Sequence, residues 1–272
     1  MGKIHQVIVR NVPEKGLDVV ATDLLKSQIQ NISLFLPEEE LSDFNKVFLT
    51  KFHHSSGNVV LRFTFDDGTD RFGRQSIKTH SLIINNAFYN EKTLQYFISP
   101  LINGSMNIDD DRILEKNDFE MLETHPISSK FTEIILCKKR IQLTSQKEID
   151  PTVLIQLFGS FDRLIPPPLN PSFSFQTMVF PGHKNTIKTH DLIFSIEKLP
   201  HSQSIEKIQT EKSEFTTIQA ITDSISDLPL LRQLQRQLFL EIPERWLRIK
   251  IQWRFGVKKF SDIRENINNY FT

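Results

Sequence analysis

The chain has 272 residues, with 33 Lys+Arg balanced by 33 Asp+Glu, 39% hydrophobic residues, nine Gly, thirteen Pro and one Cys. That composition excludes collagen-like, disordered and disulfide-built classes and leaves enough apolar side chains for one large core or two smaller ones. A formal charge of zero also argues against a general nucleic-acid binder, which would carry a basic excess. The single thiol, Cys137, cannot close an intramolecular disulfide, and no apolar run approaches the ~20 residues of a membrane-spanning helix. The expectation is a cytoplasmic chain of mixed α/β (α+β) class with no nucleic-acid partner.

Taken in order, Ile4 to Arg10 and Leu17 to Ala21 read as strands around the turn-like Pro13-Glu14-Lys15-Gly16, an opening hairpin. Pro37 followed by Glu38, Glu39 and Glu40 suits a helix start, and Leu41, Phe44, Phe48 and Phe52 at 3/4 spacing predict an amphipathic helix. Asn58 to Asp66 alternates strictly, with Val59, Leu61, Phe63 and Phe65 on one side. Asp67-Gly68 then predicts a turn into a returning strand at Ser76 to Asn85. Asn90 can cap a helix carrying Leu94, Phe97, Ile98 and Leu101, with Pro100 expected to end it early.

Residues 107–124 hold seven acids (Asp109, Asp110, Asp111, Glu115, Asp118, Glu120, Glu123) and two bases, Arg112 and Lys116. The alternating acids, central glycine and terminal glutamate of an EF-hand loop are missing, so the expectation is a solvated acidic linker spanning 107–130. Phe131 to Thr144 reads as a buried segment ending in a strand at Ile141 to Thr144. Asp150-Pro151 is a specific helix start, and Val153, Leu154, Leu157, Phe158, Phe161 and Leu164 keep the spacing as far as Pro166-Pro167-Pro168. Strands at Phe173 to Phe180 and Leu192 to Glu197 then imply a βαβ-like crossover.

The last part is helical. Leu231, Leu234, Leu238 and Ile242 form one stripe, and Trp246, Ile249 and Trp253 resume it beyond Pro243, which predicts that both tryptophans are buried. A third helical piece carries Ile263, Ile267 and Tyr270. Residues 228–264 hold nine bases and three acids, a face suited to an acidic partner or to peripheral contact with an anionic membrane.

No phosphate-binding glycine loop, GxGxxG, GxSxG or HExxH occurs, so no catalytic residue and no cofactor is assigned. The eight histidines do not fall at ligand spacing: His53 and His54 are adjacent, and His183 and His190 lie seven apart, so no metal is expected. Cys137 inside an apolar run reads as a structural thiol, and His5, His80 and His125 have no recognisable catalytic partner in sequence.

Asp70 to Phe97, with its SLIINN strand running into a helix, resembles the end of the longin-like N-terminal part of DENN modules. Phe131 to Pro181, with KKRIQLTSQ, PTVLIQLFGSF and a proline-bounded strand, is similar to the DENN core. Gly73-Arg74 and the SFSFQT strand at Ser172 to Thr177 also resemble the N-terminal domain of bacterial GTPase-associated proteins. The resemblance implies a longin-like antiparallel sheet with helices over 1–106, an acidic linker over 107–130, a DENN-core-like α/β domain over 131–225 and a helical extension over 226–272. It further implies binding to a Ras-type small GTPase, with guanine-nucleotide exchange, or else a non-catalytic adaptor role among other protein subunits. Arg71, Phe72 and Arg74, in the turn between paired strands, are the expected partner-contact residues, since arginine and aromatic side chains are enriched in interface cores.

Overall fold

The fold is taken from a computed structural model, which describes residues 4–25, 29, 35–36, 47–54, 56–70, 72–90, 92–167, 169–179, 190–195, 198–241 and 244–255. Five antiparallel strands come first: β1 (His5–Val12), β2 (Gly16–Thr22), β3 (Val47–His54), β4 (Asn58–Thr69) and β5 (Gln75–Asn85). They are followed by β6 (Ile141–Thr144), β7 (Phe175–Val179), β8 (Leu192–Ser195) and β9 (Gln203–Ser204). All nine belong to one mixed sheet of order β2-β1-β5-β4-β3-β7-β8-β6-β9, in which β7, β8, β6 and β9 run parallel.

The join between the two halves is short. Thr50 pairs with Gln176 and Lys51 with Phe175, both antiparallel, and the Leu49 N–H donates to Thr177 Oγ1 at 2.9 Å. Residues 1–106 and 131–225 thus share one sheet. They also share one apolar core, which runs from Leu49, Leu61 and Phe63 through Phe131, Phe158 and Phe175 to Leu247 and Ile251.

Helices α1 (Thr93–Ile102), α2 (Ser129–Cys137) and α3 (Pro151–Leu164) cover one face of the sheet. Asp150 caps α3 by accepting from the Thr152 N–H at 2.8 Å, with Pro151 pre-set for the first turn, as its sequence predicts. The α1 helix continues past Pro100, contrary to the expected early end. Pro100 has no N–H for the Tyr96 carbonyl one turn back, and the Ser99 hydroxyl donates to that carbonyl instead at 2.7 Å. The chain β6–α3–β7 is a parallel crossover that leaves room for β8 between its two strands. Beyond it lie α4 (Ile205–Thr210), α5 (Thr216–Asp223), α6 (Leu228–Arg236), a π turn at Gln237–Glu241 and α7 (Arg245–Phe255). No helix among the described residues is long and apolar enough to cross a membrane.

Four further expectations are corrected. Residues 47–54 form β3, not the end of a helix, because Leu49 and Lys51 face the helices while Phe48 faces the opposite side with Met178 and Ile77; 37–46 lie outside the described residues. The β4–β5 turn falls at 70–74, since β4 runs on through an irregularity between Asp66 and Thr69. The acidic segment is docked on the sheet and not a free linker. Finally, Trp246 and Trp253 are 73% and 80% exposed, while Leu247 and Ile251 are fully buried. Two apolar registers overlap on α7, and the one a single position later points inward together with Arg254, whose guanidinium reaches Asp191 Oδ1 at 3.1 Å and the Lys139 carbonyl at 2.9 Å. The helical piece with Ile263, Ile267 and Tyr270 lies outside the described residues.

Candidate functional site

Two of the expected contact residues, Phe72 and Arg74, sit around one aspartate. Asp70 Oδ1 accepts from the N–H groups of Phe72 (2.8 Å) and Arg74 (2.9 Å), and Oδ2 accepts from Arg74 Nε at 2.8 Å. The Gly73 N–H donates to the Asp70 carbonyl at 2.9 Å, with Gly73 at φ +74°, a conformation that favours glycine. Desolvation opposes it, but the N–H groups of Arg74 and Phe72 and the Arg74 guanidinium hold the Asp70 carboxyl below its ordinary value. The result is a closed loop that displays Phe72, 67% exposed, with the Arg74 guanidinium 5.1 Å from its ring centre. Arg71 lies outside the described residues.

Two buried lysines, which periodicity did not single out, organise the helix-covered face of the sheet. Lys51 Nζ donates to Asp162 Oδ1 at 2.5 Å, to the Asn170 carbonyl at 2.7 Å and to Asn170 Oδ1 at 3.1 Å. The Tyr89 hydroxyl donates to the other Asp162 oxygen at 3.0 Å, and its ring lies 4.3 Å from the ammonium. Every partner is satisfied and neither charged side chain meets solvent, which makes this an anchor between β3 and α3 and gives no opening for a substrate.

The second lysine explains the acidic segment. Lys78 Nζ donates to the carbonyls of Asn107 (3.0 Å), Ile108 (3.3 Å) and Asp110 (2.5 Å), and lies 2.9 Å from Asp111 Oδ1. Three carbonyls and a carboxylate around one cation are the donor types of a calcium loop, here gathered by an ammonium. Arg10 adds a bidentate pair to Asp67 and reaches Asp111 at 3.4 Å, while Arg112 clamps Asp118.

His80 faces the same segment from β5. Its Nε2 pairs with Gln6 Oε1 at 2.9 Å, and burial, helped by Lys78 and Arg112 and opposed by Asp110 and Asp111, pushes its pKa down to about 3. The folded protein therefore keeps His80 neutral where the unfolded chain takes up a proton near pH 6.5, so stability is full above that value and falls below it. We expect a His80→Gln variant to escape about 2–3 kcal/mol of the wild-type loss between pH 6.5 and 4.5, read from urea unfolding at each pH. Parallel pH profiles in the two proteins would refute this.

The other candidates stay apart. His5 contacts Asp23 at 3.1 Å, His54 contacts Ser56, His53 contacts Asn86, and His125 bonds the Pro126 carbonyl; His183 lies outside the described residues. No group of three His, Cys, Asp or Glu side chains that could hold a metal ion occurs among the described residues. Burial, followed by Glu133, pushes the Cys137 thiol up to about 12, far from the thiolate a nucleophile needs. The chain matches no protein-family model and no curated protein.

Proposed function

We propose that this protein is a DENN-like binding module for a Ras-type small GTPase, with the 70–74 loop in its contact surface. The observation that carries the reading is the pre-organised display of Phe72 beside Arg74, an aromatic–arginine pair of the kind that dominates interface energetics. An antiparallel part followed by a parallel α/β part and terminal helices also supports it, in the order the resemblance implies. The mechanism requires no acid–base residue. A module that binds the nucleotide-free GTPase more tightly than the loaded form lowers nucleotide affinity by the same factor, as linkage demands.

The test is binding to GTPases of the same cell in nucleotide-free, GDP and GTP states, with release of a fluorescent nucleotide as the second readout. Phe72→Ala is expected to weaken binding by about tenfold or more while leaving the urea midpoint nearly unchanged, since the ring is largely exposed. Binding without nucleotide release selects the adaptor role. Absence of binding in every nucleotide state removes both.

A further inference from the structure

A cleft of about 790 Å³ runs along α2, between α4 and the Lys250 side of α7. One end is formed by Thr144 and Ser204, where the parallel strands β6 and β9 stop, the end at which open α/β sheets bind ligands. Five lysines line it: Lys130, Lys138, Lys198, Lys207 and Lys250. Among the described residues two carboxylates line it, and both are paired. Glu133 lies 3.1 Å from Lys130 and 3.4 Å from Lys250, and Glu211 lies 4.0 Å from Lys207.

The nearby Glu206, bonded to cleft-lining residues, offsets one of those charges, so five lysines stand against three carboxylates among the described residues and a basic excess remains. Glu206 accepts from the Ser145 and Ser204 hydroxyls and the Gln146 N–H, and these bonds hold its carboxyl at about 2 against the opposing effect of burial. Ser202 lines the cleft, and its hydroxyl oxygen is buried with no hydrogen-bond partner among the described residues. On α7, Trp246 and Trp253 stand four residues before and three after Lys250, so the two exposed rings flank that lysine on one helix face.

We propose that this cleft binds a multiply phosphorylated anion, its phosphate oxygens met by the lysine ammonium groups. The volume admits a ligand larger than a single phosphate, and five lysines around one cleft suit several charges at once. Burial, together with repulsion from Lys130 and Lys250, already lowers the Lys138 pKa, a strain that a bound anion relieves. A free phosphorylated metabolite and a phosphorylated lipid headgroup offer the same chemistry. The flanking tryptophans distinguish them, since such rings settle at a membrane–water interface.

The experiment titrates the full chain with inositol hexakisphosphate by calorimetry, with uncharged inositol as the blank, and separately with phosphatidylcholine vesicles with and without a phosphoinositide. The only two tryptophans are those beside the cleft, so their emission reports locally. The expected result is saturable binding of the phosphorylated probe that weakens with salt and falls by about tenfold or more in Lys198→Glu/Lys207→Glu, two exposed positions whose change leaves the fold intact by circular dichroism. Lys116→Glu, on the segment held by Lys78, is expected to bind as the wild type does. Binding of the soluble probe without vesicle recruitment assigns a free ligand; recruitment only to phosphoinositide vesicles, with a blue shift in emission, assigns a headgroup. Neither binding event, or equal loss in the Lys116 control, overturns the proposal, and because no GTPase is present its failure is separate from that of the DENN-like reading.

Discussion

Replacing Lys51 with Met is expected to cost about 3–5 kcal/mol of stability, because it leaves the Asp162 carboxylate buried without its cation. Both side chains are fully buried, and burial pushes the Lys51 pKa down and the Asp162 pKa up while each partner opposes the other's shift. The pair survives because it is completely bonded: Tyr89 and the Asn170 side chain and carbonyl fill the remaining positions. Removing both charges in Lys51→Met/Asp162→Leu should therefore recover much of the single-variant loss, since no ion is then left unpaired. Urea unfolding of the two single variants and the double variant tests this. If the double variant loses the sum of the two singles, the buried charges act independently and the account fails.

Lys78→Met is expected to lose about 3 kcal/mol, because Met replaces the apolar stem but leaves three carbonyls and the Asp111 carboxylate without their shared donor. The loss has a location. Amide hydrogen exchange should rise over 103–118, where the carbonyls belong, and change little across β4, whose ladder to β3 does not involve this lysine. Lys116→Met, an exposed lysine of the same segment, should stay within about 0.5 kcal/mol of the wild type. Uniform exchange acceleration over the whole sheet would instead mean that Lys78 supports the global fold.

Much of the architecture was legible locally. The opening hairpin, the strand at Asn58 to Asp66 and its partner, the Asp150-Pro151 helix start and the Ile141 to Thr144 strand all rest on short-range signals: alternation, a cap, a proline at the first helical turn. The failures share one cause. Phe48 and Phe52 satisfy a helical spacing and also an alternating one, and Lys51 between them hides the strand because a lysine at an inward position reads as solvent-facing. Its signal was present at a distance, in an aspartate at position 162 beside Phe158 and Phe161 on an otherwise apolar helix face. On α7 two apolar stripes overlap by one residue, and periodicity carries no preference between them.

The candidate contact loop was legible as a turn bearing an aromatic and arginines, but its rigidity comes from the Asp70 hydrogen bonds. The lysine cleft was not legible, since its five lysines come from α2 and the residue after it, from α4, from α7 and from the chain beyond β8, positions 130 to 250.

Sequence alone determined the charge balance, the class of elements and where most of them begin, because caps, turns and alternation act between neighbours in the chain. Long-range contacts settled that the acidic block lies on Lys78, that the two halves share a sheet through β3 and β7, and that both tryptophans face outward. Those outcomes depend on which surfaces meet, and a charge or ring is buried or displayed according to a partner that can lie a hundred residues away.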